Sequence, residues 1–317
     1  MSAPDASPRG PVALIANPGA MRSSPAARSR VTRVLAPVGL EWSLVTSGPG
    51  DGARLAREAA AQGAATVVAL GGDGIAGEVA GALAGGPVAM LPLPGGNANV
   101  FARAIGWPAR LDRALPLVAS ALAAGRVRDA HLGLVRAGEA ERVFVVNAGV
   151  GLDAATVEWI EARPRAKRRL RQAGFALAAA IAFARAHGVP RLRVTIDDGD
   201  PVDCAALLTA CGTPYTYLGA RPLDLAPGAS FDGGLAWVGV KRVRPGELSR
   251  LMVRAARGRS LPIGGPALTG GMVARAVAAR ADGPVPVQAD GEPLGRHEQV
   301  RITPGPVLRA VAPPTLP

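Results

Sequence analysis

An α/β domain built on an open parallel sheet, followed by a mainly antiparallel β-sandwich, is the fold the sequence predicts. Three observations predict it. Strand and helix patterns alternate through the first third of the chain, the rhythm of a parallel sheet with helices on both faces. Glycine-rich turns follow two successive strand patterns there. Beyond about Arg128, strand patterns follow one another across Gly, Pro and Asp turns, as antiparallel strands do.

Val12 to Asn17 reads as the first strand and Ser24 to Leu35 as a helix. Glu41 to Thr46 is a second strand, followed by a helix from Gly52 to Gln62. Thr66 to Leu70 is continuously apolar after its threonine, the pattern of a strand buried on both faces. A glycine loop follows, then a helix near Glu78 to Leu83 and a strand from Val88 to Leu91. In the second half Val143 to Ala148, Arg191 to Asp197, Cys204 to Cys211, Leu235 to Val240 and Val285 to Ala289 read as strands. A long helical stretch from Ala154 to His187 interrupts them, broken at Pro164. The domain boundary falls between Arg128 and Leu134, dividing the chain into 1–130 and 131–303, with 304–317 as a tail.

Composition bounds the function. With 49% hydrophobic and 19% charged residues, 317 residues suffice for two domains with their own cores. Met1 to Pro11 holds no long apolar run, which argues against a signal peptide. The apolar stretch from Ala173 to Ala184 falls short of the roughly 20 residues of a membrane span. The expectation is a cytoplasmic protein. The formal charge of +12 favours anionic partners, but 3% aromatic residues supply no base-stacking platform, so nucleic acid is not expected. Cys204 and Cys211 lack further ligands for zinc and read as buried free thiols. His131, His187 and His297 are scattered without metal-ligand spacing.

Gly71-Gly72-Asp73-Gly74 directly follows a strand and precedes a helix. Glycines there permit a tight turn and bring N–H groups to an anion at the positive end of the helix dipole. The alternative is an ordinary turn with a helix-capping aspartate. A second loop, Pro94-Gly95-Gly96-Asn97-Ala98-Asn99, repeats the arrangement, with Asn97 or Asn99 able to cap the next helix. Two such loops at the carboxyl ends of neighbouring strands point to a nucleotide-phosphate site. Arg163, Arg165, Lys167, Arg168, Arg169 and Arg171 precede the apolar run Phe175 to Phe183. A basic segment beside an apolar one suits an anionic bilayer surface, although a solvated helix end before a buried helix would read the same way.

With these motifs in order, the chain resembles the diacylglycerol kinase family of lipid kinases. The resemblance runs from Asn17-Pro18-Gly19 and Thr46 through Gly71-Gly72-Asp73-Gly74 with Glu78, then Gly95, Gly96, Asn99, Phe101 and Arg103. It continues with Asn147-Ala148-Gly149-Val150-Gly151-Leu152-Asp153, Leu225-Ala226-Pro227, Asp232-Gly233 and Asp290-Gly291-Glu292. It implies an N-terminal domain that cradles ATP, a β-sandwich that receives the lipid, and a C-terminal tail that returns to the first domain. Asn17, Pro18, Gly19, Thr46, Gly71 to Gly74, Glu78, Gly95, Gly96, Asn97 and Asn99 would bind the nucleotide. Asp232 would hold Mg²⁺. Asp73, Asp290 and Glu292 would be the catalytic carboxylates, with Glu292 favoured as base and Asp290 orienting it or linking to the metal. Taken alone, Asp290-Gly291 is also a common hairpin turn.

Two departures from the family pattern stand out: Ile75 and Asn97 occupy positions where it carries threonine. Both hydroxyls are expected to face phosphates, and isoleucine cannot donate a hydrogen bond. The implied partners are ATP and a lipid alcohol at an anionic membrane surface, on the inner face of the membrane. A soluble kinase resembling NAD kinase and a catalytically weak lipid- or nucleotide-binding protein are the alternatives. The oligomeric state is open, with a homodimer compatible.

Overall fold

The computed structural model describes residues 10–20, 23–162, 191–241 and 244–314. The chain forms two compact units: one comprises residues up to Ala130 together with those from Pro306, the other His131–Gly305.

The first unit is an α/β layer structure. Strands β1 (Val12–Ala16), β2 (Leu40–Val45), β3 (Thr66–Gly71) and β4 (Ala89–Pro94) lie in the parallel order β2-β1-β3-β4. Every residue of β1, β3 and β4 is buried, which is why these strands read as unbroken apolar runs. Helices α1 (Pro25–Leu35), α2 (Asp51–Ala61), α3 (Asp73–Leu83), α4 (Val100–Ala104) and α5 (Leu111–Ala124) connect them. Helix α1 begins where the sequence says it should: Ser24 accepts a hydrogen bond from Ala27 N at 3.2 Å, and Pro25 takes the first helical position. Helix α3 is longer than its apolar pattern suggested and opens at Asp73 itself.

Residues from Pro306 onward complete this unit. Ala310 pairs in parallel with Met90. Val311 O accepts from Trp107 Nε1 at 2.8 Å, and Val307 O accepts from Gly85 N at 2.7 Å.

The second unit is antiparallel. It contains part of β5 (Val127–Ala137), β6 (Ala140–Phe144), β7 (Asn147–Gly151), α6 (Leu152–Glu161), β8 (Leu192–Ile196), β9 (Val202–Cys204) and β10 (Ala206–Ala210). Strands β11 (Thr216–Leu218), β12 (Arg221–Leu223) and β13 (Leu235–Val240) follow, then α7 (Pro245–Ala256), β14 (Leu268–Ala274), β15 (Val277–Ala289) and β16 (Glu292–Val311). Its main sheet runs β14-β13-β10-β7-β15-β16, with β8 also paired to β15 and β9 to β8. Leu251 of α7 packs on a cluster that includes Leu208, Val238 and Leu268.

Three sequence expectations are corrected here. Val143 to Ala148 is not one strand, because β6 ends at Phe144 and β7 starts at Asn147. The amides of Val145 and Val146 donate to the Asp290 carboxylate, which takes them out of any strand ladder. Cys204 to Cys211 is likewise two strands: β9 pairs with β8, whereas β10 pairs with β7 and β13. The chain must step sideways between those partners, and it does so at Ala205. Of the long helix expected from Ala154 to His187, α6 ends at Glu161. The remainder, with the basic stretch and Phe175 to Phe183, lies outside the described residues. Cys204 and Cys211 are both free and buried, and burial pushes the Cys204 thiol up to about 11.

Candidate functional site

The order β2-β1-β3-β4 contains a topological switch. From β1 the chain goes to β2 on one side and then crosses to β3 on the other. Ligands of open α/β sheets bind in the crevice outside the carboxyl ends of the strands at such a point. Ala16 is in register with both Val45 and Leu70, and Gly71 with Pro94. Asn17-Pro18-Gly19, Thr46, Gly72-Asp73-Gly74 and Gly95-Gly96-Asn97 therefore leave the sheet at one edge.

Hydrogen bonds set these loops in place. Asn17 N donates to Leu70 O at 3.0 Å, and the Asn17 side chain accepts from Gly19 N at 2.8 Å. Thr46 is buried and its N–H donates to Ala16 O at 3.0 Å. Glu78 does not stand in the loops themselves. Its two carboxylate oxygens accept from Gly50 N at 2.9 Å and Gly52 N at 2.8 Å. It thereby caps the positive end of α2 and fixes the turn after Thr46. In that turn, hydrogen bonds from the Ser47 hydroxyl and amide, together with Arg54, hold the Asp51 carboxyl down to about 2.

The two glycine loops meet backbone to backbone. Gly95 N and Gly96 N both donate to Gly71 O, at 2.7 and 3.1 Å. A methyl group on Gly95 would sit 2.8 Å from Gly71 Cα, and one on Gly96 only 2.5 Å from Gly72 Cα. None of these four glycines has a positive φ. The sequence reading gives them the task of turning tightly and baring their amides; here Gly72, Gly95 and Gly96 are required by the close approach of one loop to the other, and Gly71 by Ile75. The N-cap of α3, Gly72, makes no side-chain hydrogen bond to the first turn of the helix. Gly74 and Asn97 are exposed beside it.

Asp73 ties the loops together. Its Oδ1 accepts from Val100 N at 2.5 Å and Phe101 N at 3.4 Å, at the start of α4. Loss of surrounding water pushes its carboxyl above the ordinary 3.8, against the pull of those amides. It caps a helix as the simpler reading expected, but a helix from the neighbouring loop. Asn99, left-handed at φ 50 and buried, closes the second loop on itself, accepting from Gly96 N at 2.8 Å and donating to Gly96 O at 3.1 Å. Ile75, only 4% exposed, packs where a methyl group on Gly52 or Gly71 would collide with it, so its side chain is buried under the loop.

In the second unit Asp290 and Gly291 form a two-residue hairpin turn between β15 and β16, with φ values of 49 and 80. The turn and the carboxylates are parts of one device. Asp290 accepts three backbone N–H groups, from Val145 at 2.6 Å, Val146 at 2.9 Å and Asn147 at 3.1 Å. Glu292 forms a partly exposed ion pair with Arg142. Asp232 is exposed in the loop before β13, and its carboxylate accepts from Ser230 Oγ. Gly228 and Gly234, on either side of Asp232, are packed by Met272 and Val273. Those two apolar side chains are 63% and 71% exposed.

Comparison with known proteins resolves the family. Residues 11–135 match the diacylglycerol kinase catalytic domain, and residues 145–311 match the YegS C-terminal NAD kinase beta sandwich-like domain. The chain belongs to the diacylglycerol kinase catalytic-domain family. Among its relatives, a probable lipid kinase YegS-like protein of Cronobacter sakazakii is 49% identical over 77 residues, 23% of this chain and 26% of that protein. One from Pseudomonas aeruginosa is 45% identical over 102 residues, 31% of each chain. The matched stretches thus span a quarter to a third of these relatives. A solved structure of a diacylglycerol kinase from Bacillus anthracis aligns over 97% of this chain and 98% of that one, with a TM-score of 0.68 and 19% identity. That likeness shows the fold.

Several buried or half-buried polar residues of this family member have no role in the sequence reading. It quoted Asp153 and Asn147 within a motif without giving them a role, and it did not single out Gln288 or Tyr215. All four are joined by hydrogen bonds beneath the Asp290 turn. Gln288 was legible in one respect: it is a lone amide in the apolar run Val285 to Ala289. Among the described residues no three His, Cys, Asp or Glu side chains cluster as a metal site, and no helix is long and apolar enough to cross a membrane.

Proposed function

We propose that this protein is an ATP-dependent lipid kinase that phosphorylates the hydroxyl of diacylglycerol or a related lipid alcohol. The observation that carries the proposal is the strand-order switch, flanked by Asn17-Pro18-Gly19 and Gly71 to Gly74, in a chain of this family. The uncapped first turn of α3, with Gly72 and Gly74, would receive phosphate oxygens, and Asn97 would add an amide donor. Glu78 and Asp73 would act on this site by holding its loops. The exposed Met272 and Val273 beside the Asp232 loop support an apolar acceptor.

Transfer forms a bond between the lipid oxygen and the γ-phosphorus and breaks the bond to the β-phosphate, releasing ADP. The hydroxyl proton needs an acceptor. The lone pairs of Asp290 already accept three amides, which commits its carboxylate to holding the turn. Glu292, at the other end of the turn, meets the guanidinium of Arg142 and keeps a partly exposed carboxylate, so we assign the proton to Glu292, with Asp290 anchoring the turn. Mg²⁺ is bound through one or two carboxylates plus phosphate oxygens and water. The hard oxygen donors of Asp232 and Ser230 fit that demand without a larger cluster. Bound there, the ion would supply positive charge to the transfer.

The acceptor is sought on an anionic membrane surface, which the charge of +12 favours, with the protein peripheral to the inner face of the membrane. The second unit also matches a domain described as NAD kinase-like, so a soluble acceptor is the competing reading. Purified protein with γ-labelled ATP is incubated with a total lipid extract in vesicles, or with NAD. Label entering the lipid phase supports the proposal. Label entering the soluble dinucleotide, or no transfer at all, overturns it.

A further inference from the structure

Gln288 is fully buried, three residues before the turn glycine. Its Nε2 donates to Asn147 Oδ1 at 3.1 Å and to Asp153 Oδ2 at 2.8 Å. Its Oε1 accepts from Gly291 N at 2.8 Å. A carboxylate and an amide oxygen on one side leave the glutamine a single workable orientation, with its own oxygen toward Gly291. Asp153 is fixed in turn by the Tyr215 hydroxyl, which donates to Oδ1 at 2.9 Å. Gly149 leaves the space for this, since a methyl group there would collide with the Asp153 carboxylate and stand 2.8 Å from Gln288 Nε2.

Burial pushes the Asp153 carboxyl and the Tyr215 phenol above their ordinary values. Groups so placed are costly compared with apolar residues of similar size. What the network supplies is a fixed direction: it ends on the amide of the residue preceding Glu292. Gly291 itself is exposed and has a left-handed backbone, so nothing packs over it to hold the turn. The Asp290 carboxylate restrains one side of the turn, through the amides of 145–147, and Gln288 the other.

We propose that Gln288, oriented by Asp153 and Asn147, is a positioning residue that sets the Gly291 amide and thereby the placement of Glu292. The proposal deepens the kinase reading and rests on it. Misplacing a reacting group by about 1 Å costs on the order of 10²-fold in rate.

Two variants test it in the full chain. Gln288→Glu sets a carboxylate against that of Asp153. The double variant Gln288→Glu/Asp153→Asn exchanges donor and acceptor across that hydrogen bond and keeps an oxygen toward Gly291 N. The expected result is a fall in kcat of about 10²-fold for Gln288→Glu, with KM for ATP unchanged, and recovery of most of that loss in the double variant. Hydrogen exchange of the Gly291 amide is followed alongside: slow in the parent, fast in Gln288→Glu, slow again in the double variant. A parent that transfers no phosphate to lipid sinks the kinase reading, and the exchange pattern alone then decides the positioning role. Unchanged Gly291 exchange in Gln288→Glu overturns the inference, as does a double variant no better than the single one, or normal kcat in Gln288→Glu when the parent is active.

Discussion

The division of labour between Asp290 and Glu292 makes a sharp prediction, because the two carboxylates are held so differently. In Asp290→Asn one oxygen still accepts from Val146 and Asn147, but the amide nitrogen faces Val145 N, a donor against a donor. Hydrogen bonds to a charged group contribute about 1.5–3 kcal/mol, and a stranded buried donor costs about 1–3 kcal/mol. A loss of about 3 kcal/mol is expected. For a unit the size of His131–Gly305 that corresponds to a Tm lower by about 6–12 °C. Glu292→Gln removes only a partly exposed ion pair with Arg142, which contributes at most about 1 kcal/mol, so its melting should barely change. Its turnover should fall by about 10²–10⁴-fold if Glu292 takes the proton, while ATP affinity holds. Denaturation, lipid phosphorylation and direct ATP binding are measured on both variants. If Asp290→Asn melts with the parent, the anchoring role is wrong; normal turnover in Glu292→Gln removes it as the base.

Three further outcomes are expected. Ile75→Thr should destabilise by about 1–3 kcal/mol, since it places a hydroxyl in an apolar site under Gly71 and Gly52, and ATP binding should not improve; tighter binding would show that the position reaches the phosphates after all. Gly96→Ala presses a methyl group on Gly72 Cα and should cost about 1–3 kcal/mol by overpacking, together with ATP affinity; unchanged melting would mean the two loops are free to separate. Because burial raises the Asp73 carboxyl above 3.8, the stability present below that value is lost as pH rises through the raised one. Asp73→Asn should therefore gain stability relative to the parent as pH rises from about 4, measured by denaturation across a pH series. A difference that shrinks with pH would contradict the sign.

The parallel half was legible because its strands are buried on both faces. Val12–Ala16 and Thr66–Gly71 are unbroken apolar runs bounded by turn residues, and such runs admit few other readings. Both glycine loops could be located for the same reason. Their reason for being glycine could not. It lies in the approach of Gly96 to Gly72, two residues from different loops whose distance no local pattern encodes. The burial of Ile75 was unreadable in the same way, since its orientation follows from packing on Gly52 and Gly71.

In the second unit, strand content was readable but strand ends were not, because partners assign them. Val145 and Val146 look like strand residues, yet their amides are claimed by a carboxylate that lies about 145 positions away in sequence. What the sequence determined by itself was everything that depends on neighbours along the chain: the strand–loop–helix order, the glycine loops, the Asp290-Gly291 turn and the family those motifs mark. What only the tertiary structure decided was which polar group answers which. Asp73 serves the helix of another loop, Glu78 the start of α2, and Gln288 the turn beneath Glu292. Hydrogen-bond partners are chosen by proximity in the folded chain, where burial makes an unanswered donor costly, and that proximity is written in no single stretch of residues.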